Sequence, residues 1–382
     1  MMKELGEIIT GNTPSKKIEE FWNSEDIWFV KPDLIPEVGV NVIKHSNEYI
    51  SENARKKARV VNQNAIFVTC IGSIGKIGIA AAGEFAFNQQ INAIVPNERV
   101  NPKYLAYNLH YNKPRLIAIA NAPVVPIINK TQFGEFLISI ETDLVKQSEV
   151  VEVLDRLALI IEQRHNELSA LDSLIKSRFV EMFGDENNSC GWNIVNVEEV
   201  ADVQVGVVIK PAQYYTDSQR GIKTFRSLNV GSMYIKDSDW VYFTEEGNNK
   251  NAKSILKEND LLIVRSGAPG TACVVSKDYE GCNAIDIIIA HPHLDKVNPY
   301  YLCAYTNLPH GKKQIEEGTG GAAQQHFNVG KYNKLKLMLP PMDKQEEFVT
   351  FMNQVDKSKL LVQKSLEETH QLFDALMQKY FS

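Results

Sequence analysis

The chain has 382 residues and a mass of 43.1 kDa, with 44% apolar and 23% charged residues. This balance is ordinary for a globular protein and excludes a wholly disordered chain. At about 150 residues per domain, the length predicts two or three domains. The formal net charge is −6. Bulk charge therefore does not favour nucleic-acid binding, and such a function must rest on how charge is distributed locally.

The cysteine pattern and the hydropathy bear on the cellular compartment. The five cysteines are scattered and form no C-x-x-C pair, which argues against a disulfide framework and a zinc ribbon and predicts buried, reduced thiols. The N-terminal residues contain no apolar signal core. No stretch reaches the roughly 18 uncharged apolar residues that a membrane span needs. We therefore expect a cytoplasmic protein without a membrane association.

The chain repeats itself with a period of about 200 residues, a feature to be sought before local structure. The segment 64–68 aligns with 259–263, and two glycines that follow fall on two glycines at the same offset. Val100-Asn101-Pro102 aligns with Val297-Asn298-Pro299, and 171–174 aligns with 373–376. Because the order is kept and the offset drifts little, the chain is predicted to contain two similar copies.

The first part of each copy has a mixed pattern. Short β-branched runs at 65–69, 260–264 and 285–289 predict strands separated by loops rich in Gly, Pro and Asn. Asn-Pro at 101–102 and at 298–299 predicts a helix start, with Asn as the N-cap and Pro in the first turn.

The second part of each copy predicts one long helix. Positions at alternating steps of four and three are mostly apolar, seven of nine from Val150 to Arg178 and eight of ten from Phe348 to Tyr380, and neither stretch contains Pro. The exceptions are Arg164, Arg178, Lys359 and Thr369. A stripe of this kind predicts that the two helices pack on each other as an intramolecular coiled coil. The alternative is that each helix covers the core of its own domain. The predicted packing residues are Leu154, Leu157, Ile161, Leu168, Leu171, Ile175, Met352, Val355, Val362, Leu366, Phe373 and Leu376.

These patterns divide the chain into four parts. Residues 1–145 and 184–342 are the predicted mixed domains, residues 146–183 the central helix and residues 343–382 the C-terminal helix. The two helices carry −4 of the net charge of −6, so the mixed domains are close to neutral.

Local basic clusters are the candidates for DNA contacts. Arg and Lys bind phosphates, while Asn and Gln read base edges. Amide-rich spots lie at 88–90 and 324–326. One cluster lies at 55–59 and the other at 248–253, and solvated surface loops account for each of them equally well. The candidate DNA-binding residues are Arg55, Lys56, Lys57, Arg59, Arg226, Lys250, Lys253 and Arg265.

Three motifs come close to catalytic or metal-binding signatures without matching them. The segment 72–76 lacks the first Gly and the Ser or Thr of a phosphate loop, so its glycines are interpreted as a tight turn. The Asn-Pro tetrapeptides resemble those of adenine methyltransferases, but no Gly-rich cofactor loop accompanies them. His291 and His293 have no third ligand placed by spacing, so no metal site is predicted.

The whole chain resembles the specificity subunits of type I restriction-modification enzymes. Residues 5–7, 11–15 and 27–34 are similar to the usual opening of a target-recognition domain in that family. The segments 197–200, Gly206 and 223–229 echo that opening in the second copy, and 318–320 and Leu339-Pro340-Pro341-x-x-x-Gln345 resemble the junction into the helix. The first junction departs from this pattern, because it lacks the Pro pair and keeps only Gln147.

This resemblance implies an α/β (α+β) fold of two target-recognition domains, 1–145 and 184–342, joined by antiparallel helices with approximate twofold symmetry. It implies a DNA-recognition subunit without catalysis, which takes no cofactor and no metal. S-adenosylmethionine, ATP and magnesium would belong to separate subunits. The implied partners are double-stranded DNA, two modification (methyltransferase) subunits and restriction (translocase or nuclease) subunits.

Under the leading hypothesis, each mixed domain reads one half-site of a bipartite DNA target, and the helices set the unspecified spacer. Two alternatives come from other classes. One is a DNA-modifying enzyme with its own active site, and the other is a scaffold that joins protein partners and has no role on DNA.

Overall fold

The structure is a computed structural model, and it describes residues 1–120, 125–217, 220–319 and 327–382. The chain divides into two compact units. Unit 1 comprises 1–167 and 362–382, and unit 2 comprises 168–361. Each unit therefore contains one mixed domain and a part of both long helices.

The elements of the first half of the chain alternate short strands with a few helices. The strands are β1 (Gly6–Thr10), β2 (Ile27–Val30), β3 (Val40–Ile43), β4 (Tyr49–Ile50), β5 (Val60–Val61), β6 (Ile66–Thr69), β7 (Ile77–Ala80), β8 (Phe85–Phe87) and β9 (Ile91–Pro96). The helices are α1 (Pro102–Tyr111), α2 (Lys113–Ala118), α3 (Lys130–Glu135) and α4 (Leu144–Phe183).

The second half has a similar order, but one short helix lies between two of its strands and one strand lies just before the last helix. The strands are β10 (Asn193–Asn196), β11 (Ala201–Val205), β12 (Ile222–Phe225), β13 (Val241–Phe243), β14 (Leu261–Val264), β15 (Ala272–Val274), β16 (Asn283–Ala284), β17 (Ile287–Pro292) and β18 (Lys336–Leu339). The helices are α5 (Glu245–Lys250), α6 (Pro299–Asn307), α7 (Pro309–Thr319), α8 (Val329–Asn333) and α9 (Met342–Phe381).

The main sheets of the two units have the same topology. The strand order is β1-β9-β6-β7-β3 in unit 1 and β11-β17-β14-β15 in unit 2. In both sheets the first strand pairs antiparallel with a six-residue strand. In unit 1, β1 pairs with β9 and Gly6 lies opposite Pro96, and in unit 2, β11 pairs with β17 and Ala201 lies opposite Pro292. The repeat predicted from sequence is therefore a repeat of structure. Unit 1 differs by β3, an added edge strand that runs parallel to β7.

Two predicted features of the second copy are corrected. The strand expected over 285–289 begins at Ile287, because Asp286 has a positive φ of 51°, which an extended strand does not accommodate. The expectation that the cysteines are buried is wrong for Cys190, which is exposed, whereas the other four are buried.

The long helices pack against each other in antiparallel fashion within each unit. In unit 2, Lys359 pairs with Asp172 at 2.7 Å and Arg178 pairs with Glu347 at 3.0 Å, so the numbers rise along one helix as they fall along the other. In unit 1, the rings of His165 and His370 lie 6.3 Å apart.

The apolar stripes of the helices also enter the cores of the mixed domains. In unit 1, Leu154 of α4 and Phe381 of α9 are buried with residues of β1, β6 and α1. In unit 2, Phe179 and Phe348 are buried with residues of β14 and α6. The two alternatives, that the helices pair with each other or that they cover the domain cores, are therefore both true of the same helices. This arrangement is favourable because burying apolar surface stabilises the fold by about 25 cal/mol per Å².

The predicted packing residues are all buried or half-buried. Those that are buried are Leu154, Leu157, Ile175, Met352, Val355 and Val362. Those that are half-buried are Ile161, Leu168, Leu171, Leu366, Phe373 and Leu376. The stripe continues beyond the predicted positions through Phe183, Met377 and Phe381, which face the domain cores.

A buried glutamine ties each long helix to its mixed domain. Gln147 is 0% exposed, its Oε1 accepts from the backbone N–H of Asn101 at 2.7 Å, and its Nε2 donates to the carbonyl of Glu141 at 2.7 Å. Gln345 is also 0% exposed and makes the equivalent bonds to Asn298 and Pro340, both at 2.8 Å. The glutamine thus joins the N-cap of α1 or α6 to the start of α4 or α9, with or without the Pro pair.

We predict that Gln147→Leu lowers the free energy of unfolding of unit 1. Leucine has a similar volume but leaves the Asn101 N–H and the Glu141 carbonyl without partners, at a cost of about 1–3 kcal/mol. Chemical denaturation monitored by circular dichroism measures the change. Gln163→Leu, at an exposed position of α4, is the control and should change stability by no more than about 0.5 kcal/mol. Equal stability of the two variants would contradict the proposed role of Gln147.

Candidate nucleic-acid interface

Three chain segments meet in unit 1 where β1 and β6 end and β9 begins. They are the loop 11–17, the turn 70–75 and the turn 88–90, and we call them together the loop end of unit 1. Backbone bonds join them, from Asn12 N–H to the Phe87 carbonyl at 2.9 Å and from Cys70 N–H to the Gln90 carbonyl at 2.7 Å. Side chains add to the contact, because the Thr13 hydroxyl donates to Gln89 Oε1 at 2.9 Å.

The first basic cluster lies beside this loop end. Arg55, Lys56 and Lys57 belong to a 3-10 helix over Glu52–Lys57, and the Asn12 side chain donates to the carbonyl of Lys57 at 2.5 Å. Lys56, Lys57 and Arg59 are exposed, and among the described residues no carboxylate lies at ion-pair distance from them. The structure therefore places cations with unbalanced charge next to amide groups.

Arg55 differs from its neighbours in the cluster. Its guanidinium pairs with Glu52 and Glu84, and the two bonds to Glu84 come from separate nitrogens. The hydrogen bond to Glu84 raises the pKa of Arg55, and the same bond lowers the pKa of Glu84. Because its charge is balanced locally, Arg55 is suited to hold the cluster against the residue before β8 rather than to bind a phosphate.

The loop end of unit 2 is built in the same way from the segments 206–210, 265–270 and 285–286. Gly206 N–H donates to the Ile287 carbonyl at 2.9 Å and Val207 N–H to the Ala284 carbonyl at 2.8 Å. The equivalent bonds in unit 1 run from Gly11 to Ile91 and from Asn12 to Phe87. The two turns are thus anchored alike, although the turn in unit 2 is one residue shorter.

Glycine is needed where the loop crosses the turn. A Cβ placed on Gly11 would lie 2.2 Å from the Asn88 carbonyl oxygen, and one on Gly206 would lie 2.3 Å from the Ala284 carbonyl oxygen. Only a residue without a side chain permits this close approach of two backbones. Gly11 and Gly206 therefore perform the same task in the two units.

The side chains at the two loop ends differ in chemistry. In unit 2, Arg265 hydrogen-bonds the carboxylate of Asp286, and its Nε donates to the Phe327 carbonyl at 3.3 Å. The position of Arg265 in the repeat is that of Cys70 in unit 1, which is buried, and burial raises the pKa of its thiol to about 12. One loop end thus presents an amide and the other an arginine-bound carboxylate.

The remaining candidates in unit 2 are more dispersed. Lys253 is exposed, and its carbonyl accepts from the Gln204 side chain of β11 at 2.5 Å. Lys250 pairs with Glu246 at 2.5 Å, and this bond raises the pKa of Lys250. Arg226 donates to the carbonyl of Asp239. Arg226 directly follows Phe225, whose carbonyl accepts from the N–H of Ile285 in this loop end at 2.8 Å. No hydrogen bond or ion pair among the described residues brings Lys250 to the loop end, where Arg265 lies.

The motifs that resemble catalytic signatures have structural roles. Gly72 and Gly75 have φ values of +77° and +80° and form the turn between β6 and β7, as predicted, while Lys76 pairs with Glu37 at 3.0 Å. Pro102 and Pro299 begin α1 and α6. The amide-rich spot 324–326 lies outside the described residues.

The two histidines of the second copy pair with carboxylates. His291 Nδ1 lies 2.6 Å from Asp260 Oδ1, and His293 lies 3.3 Å from Asp202. In the part of the chain that the structure describes, no three His, Cys, Asp or Glu side chains form a metal-binding group. Likewise, no described helix is long and apolar enough to cross a membrane.

Comparison with known proteins identifies the family. The family model described as "Type I restriction modification DNA specificity domain" matches twice, over residues 1–170 and 190–369. The chain belongs to this family. Each match contains one mixed domain with its loop end and most of the long helix that follows, so the chain carries two specificity domains.

Relatives with assigned names extend over nearly the whole chain. The MjaIX specificity subunit of Methanocaldococcus jannaschii is 21% identical, over 99% of this chain and 91% of the relative. The EcoprrI specificity subunit of Escherichia coli is 22% identical, over 91% of this chain and 84% of the relative. Because these relatives are specificity subunits, the expectation of a recognition subunit rather than an enzyme is confirmed by the family.

Solved structures confirm the fold. The S subunit of a type I restriction-modification system from M. genitalium superposes with a TM-score of 0.59 at 14% identity, covering 100% of this chain and 95% of that one. A chain from a structure concerned with complex assembly and conformational transition of the type I R-M system reaches a TM-score of 0.64 at 15% identity, covering 99% and 96%.

The sequence did not single out all of the residues at the loop ends. The sequence pattern indicates the amides at 88–90, but it indicates neither Asp286 nor the contact from Thr13 to Gln89. A signal was present in the repeat, because the turn between two matched strands changes from three polar residues to Ile285-Asp286. The two units thus have a similar backbone but different turn residues, as expected of two domains that bind different DNA sequences.

We predict that Lys57→Ala weakens DNA binding on all sequences and reduces the salt slope by about one unit, because one phosphate contact and its released counterion are lost. Binding is measured by fluorescence anisotropy at several salt concentrations on the chain assembled with its modification subunits. Lys3→Ala is the control, since Lys3 precedes β1 and lies at the strand end opposite to the loop 11–17. An unaltered slope for Lys57→Ala would remove Lys57 from the interface.

Proposed function

We propose that this chain is the DNA-reading subunit of a type I restriction-modification complex and recognises a bipartite target. The target-recognition domains, 1–145 and 184–342, each read one half-site through their loop end. The observation that carries this proposal is the repeated loop end, in which one backbone arrangement presents different polar side chains. Two equivalent backbone arrangements that carry different polar side chains suit two half-sites of different sequence.

The contacts to DNA divide by chemistry. Lys56, Lys57, Arg59 and Lys253 are exposed cations without a carboxylate partner among the described residues, and they are proposed to bind phosphates. Arg55, Arg226, Lys250 and Arg265 already have protein partners. They are proposed to act by holding the segments that carry the contacts.

The partners follow from the family. S subunits assemble with modification and restriction subunits and bind DNA. For this chain we propose two modification subunits, one for each specificity domain, which would carry S-adenosylmethionine and perform methylation. Restriction subunits would use ATP and magnesium. Location in the cytoplasm, where DNA and these partners meet, stays a prediction. Since the free chain has a net charge of −6, its DNA binding should be weak until the modification subunits are bound.

The test is reconstitution. The chain, purified with its modification subunits, should methylate DNA at a two-part sequence with an unspecified spacer, as mapped by single-molecule sequencing. The chain alone, incubated with DNA, magnesium and S-adenosylmethionine, should neither methylate nor cut. Methylation by the chain alone would favour the enzyme alternative, and an assembled complex that shows no DNA binding would favour the scaffold.

We propose that the paired helices set the length of the spacer. Both α4 and α9 run from one unit into the other along the chain, and a helix rises about 1.5 Å per residue. Half-site spacing then follows from helix length, as it does in other proteins whose two DNA-reading elements are held at a fixed separation.

We predict that removing one heptad from both helices shortens the spacer by about three base pairs, since about 10 Å of helix is lost and DNA rises about 3.4 Å per base pair. The segments 161–167 and 364–370 include the facing residues His165 and His370, and no residue of either segment belongs to the buried core cluster of unit 1. Methylation mapping measures the spacer. Altered half-sites with an unaltered spacer would contradict the proposal that the helices set the spacer length. Removing the heptad from α4 alone is the control, which is expected to abolish specific methylation.

A further inference from the structure

Each loop end has a solvent-accessible polar side chain in the equivalent turn of the fold. Gln89 lies in the turn that leads into β9, and Asp286 lies in the turn that leads into β17. The flanking backbone bonds of the two turns are equivalent, and each turn lies beside the loop that follows the first strand of the sheet. The side chains of this turn therefore differ between the two units, while the backbone bonds on either side of the turn stay the same.

In unit 1, the amide of Gln89 is exposed and already oriented. Its Oε1 accepts from the Thr13 hydroxyl at 2.9 Å. Within the described ranges of the chain, the second lone pair of this oxygen and both N–H groups of Nε2 have no partner and can bind a ligand. An acceptor and a donor side by side match N6 and N7 of adenine in the major groove. The cations of Lys56, Lys57 and Arg59 nearby supply the phosphate contacts that bring a duplex to this turn.

In unit 2, the carboxylate of Asp286 is held in a fixed position. Its side chain is 47% exposed and is bound by Arg265, whose side chain is 17% exposed. The φ of Asp286 is +51°, a left-handed conformation that costs a non-glycine residue free energy and that clusters at functional sites. A carboxylate accepts hydrogen bonds but does not donate them, so it matches the N4 amine of cytosine and not the donor–acceptor pair of adenine.

Exposed apolar side chains lie in the loop that is bonded to the backbone of Asp286. Val208 and Ile209 follow the glycine at which the loop crosses the turn, and they are 51% and 79% exposed. The Asp286 N–H donates to the Val207 carbonyl at 3.1 Å, so Val208 and Ile209 follow directly after the residue that is bonded to the Asp286 backbone. Aliphatic groups next to a base-reading polar group suit the C5-methyl of thymine. The loop end of unit 2 thus offers both a carboxylate and aliphatic side chains for contact with base edges.

We infer that Gln89 and Asp286 are specificity-determining residues, Gln89 reading an adenine in one half-site and Asp286 a cytosine in the other. This inference rests on the proposed function and assigns its base-reading contacts. Thr13 and Arg265 are positioning residues, because they orient the amide and the carboxylate without being required to touch the base.

The experiment maps methylation by the chain assembled with its modification subunits on a randomised DNA library. Gln89→Ala should reduce the preference for adenine at one position of one half-site by about ten- to a hundredfold. Asp286→Asn should change the preferred base at one position of the other half-site from cytosine to adenine, because asparagine presents a donor and an acceptor. In each variant the remaining positions and the spacer should be unchanged.

Matched controls lie at the opposite ends of the equivalent strands. Gln63 and Glu258 are exposed and precede β6 and β14, whereas the turns with Gln89 and Asp286 lie where these strands end. Gln63→Ala and Glu258→Gln should leave the methylated sequence as it is. A base change in the controls equal to that in the variants would overturn the assignment.

The outcomes separate this inference from the proposed function. If the wild-type complex methylates a bipartite site and both variants methylate the same site with the same preferences, the inference fails and the function stands. If the wild-type complex shows no sequence preference, the proposed function itself fails. Should Gln89→Ala lose all methylation, Gln89→Glu decides, since a change from adenine to cytosine supports the inference and a retained adenine overturns it.

Discussion

The structure depends on an apolar stripe that each long helix divides between two partners. Along α9, Phe373, Met377 and Phe381 contact the core of unit 1, while Phe348 and Met352 contact the core of unit 2. The hydrophobic core of unit 1 therefore includes residues from the C-terminal end of the chain. Neither mixed domain has all of its core within its own contiguous segment, and this constraint makes the helices part of both domains.

Burial rather than charge stabilises this arrangement. The ion pairs of Lys359 with Asp172 and of Arg178 with Glu347 lie at the surface, where such pairs contribute about 0–1 kcal/mol each. Truncating a buried phenylalanine such as Phe381 costs about 3–5 kcal/mol. The ion pairs instead specify register, because Lys359 stands at an apolar position of the heptad and reaches its partner only when the helices are aligned.

Periodicity predicts the helices well, because a 3–4 apolar spacing that persists over several heptads is typical of long amphipathic helices and does not fit a strand or a loop. The repeat predicts that the two sheets are alike. Partners that lie far apart in sequence are not predictable in this way. The bond from Arg55 to Glu84 spans 29 residues, and the bond from the Asn101 N–H to Gln147 spans 46. The positive φ of Asp286 is likewise hidden, since aspartate is tolerated in many conformations and only the neighbouring strands force this one.

The dependence of unit 1 on the C-terminal helix is measured most directly by hydrogen–deuterium exchange of the chain truncated after Leu361, compared with the full chain. The truncation removes the part of α9 that belongs to unit 1 and leaves the sequence of unit 2 intact. The account predicts that the amides of β6, β9 and α1 lose protection while those of β14, β17 and α6 keep theirs. Protection of unit 1 equal to that in the full chain would contradict the account.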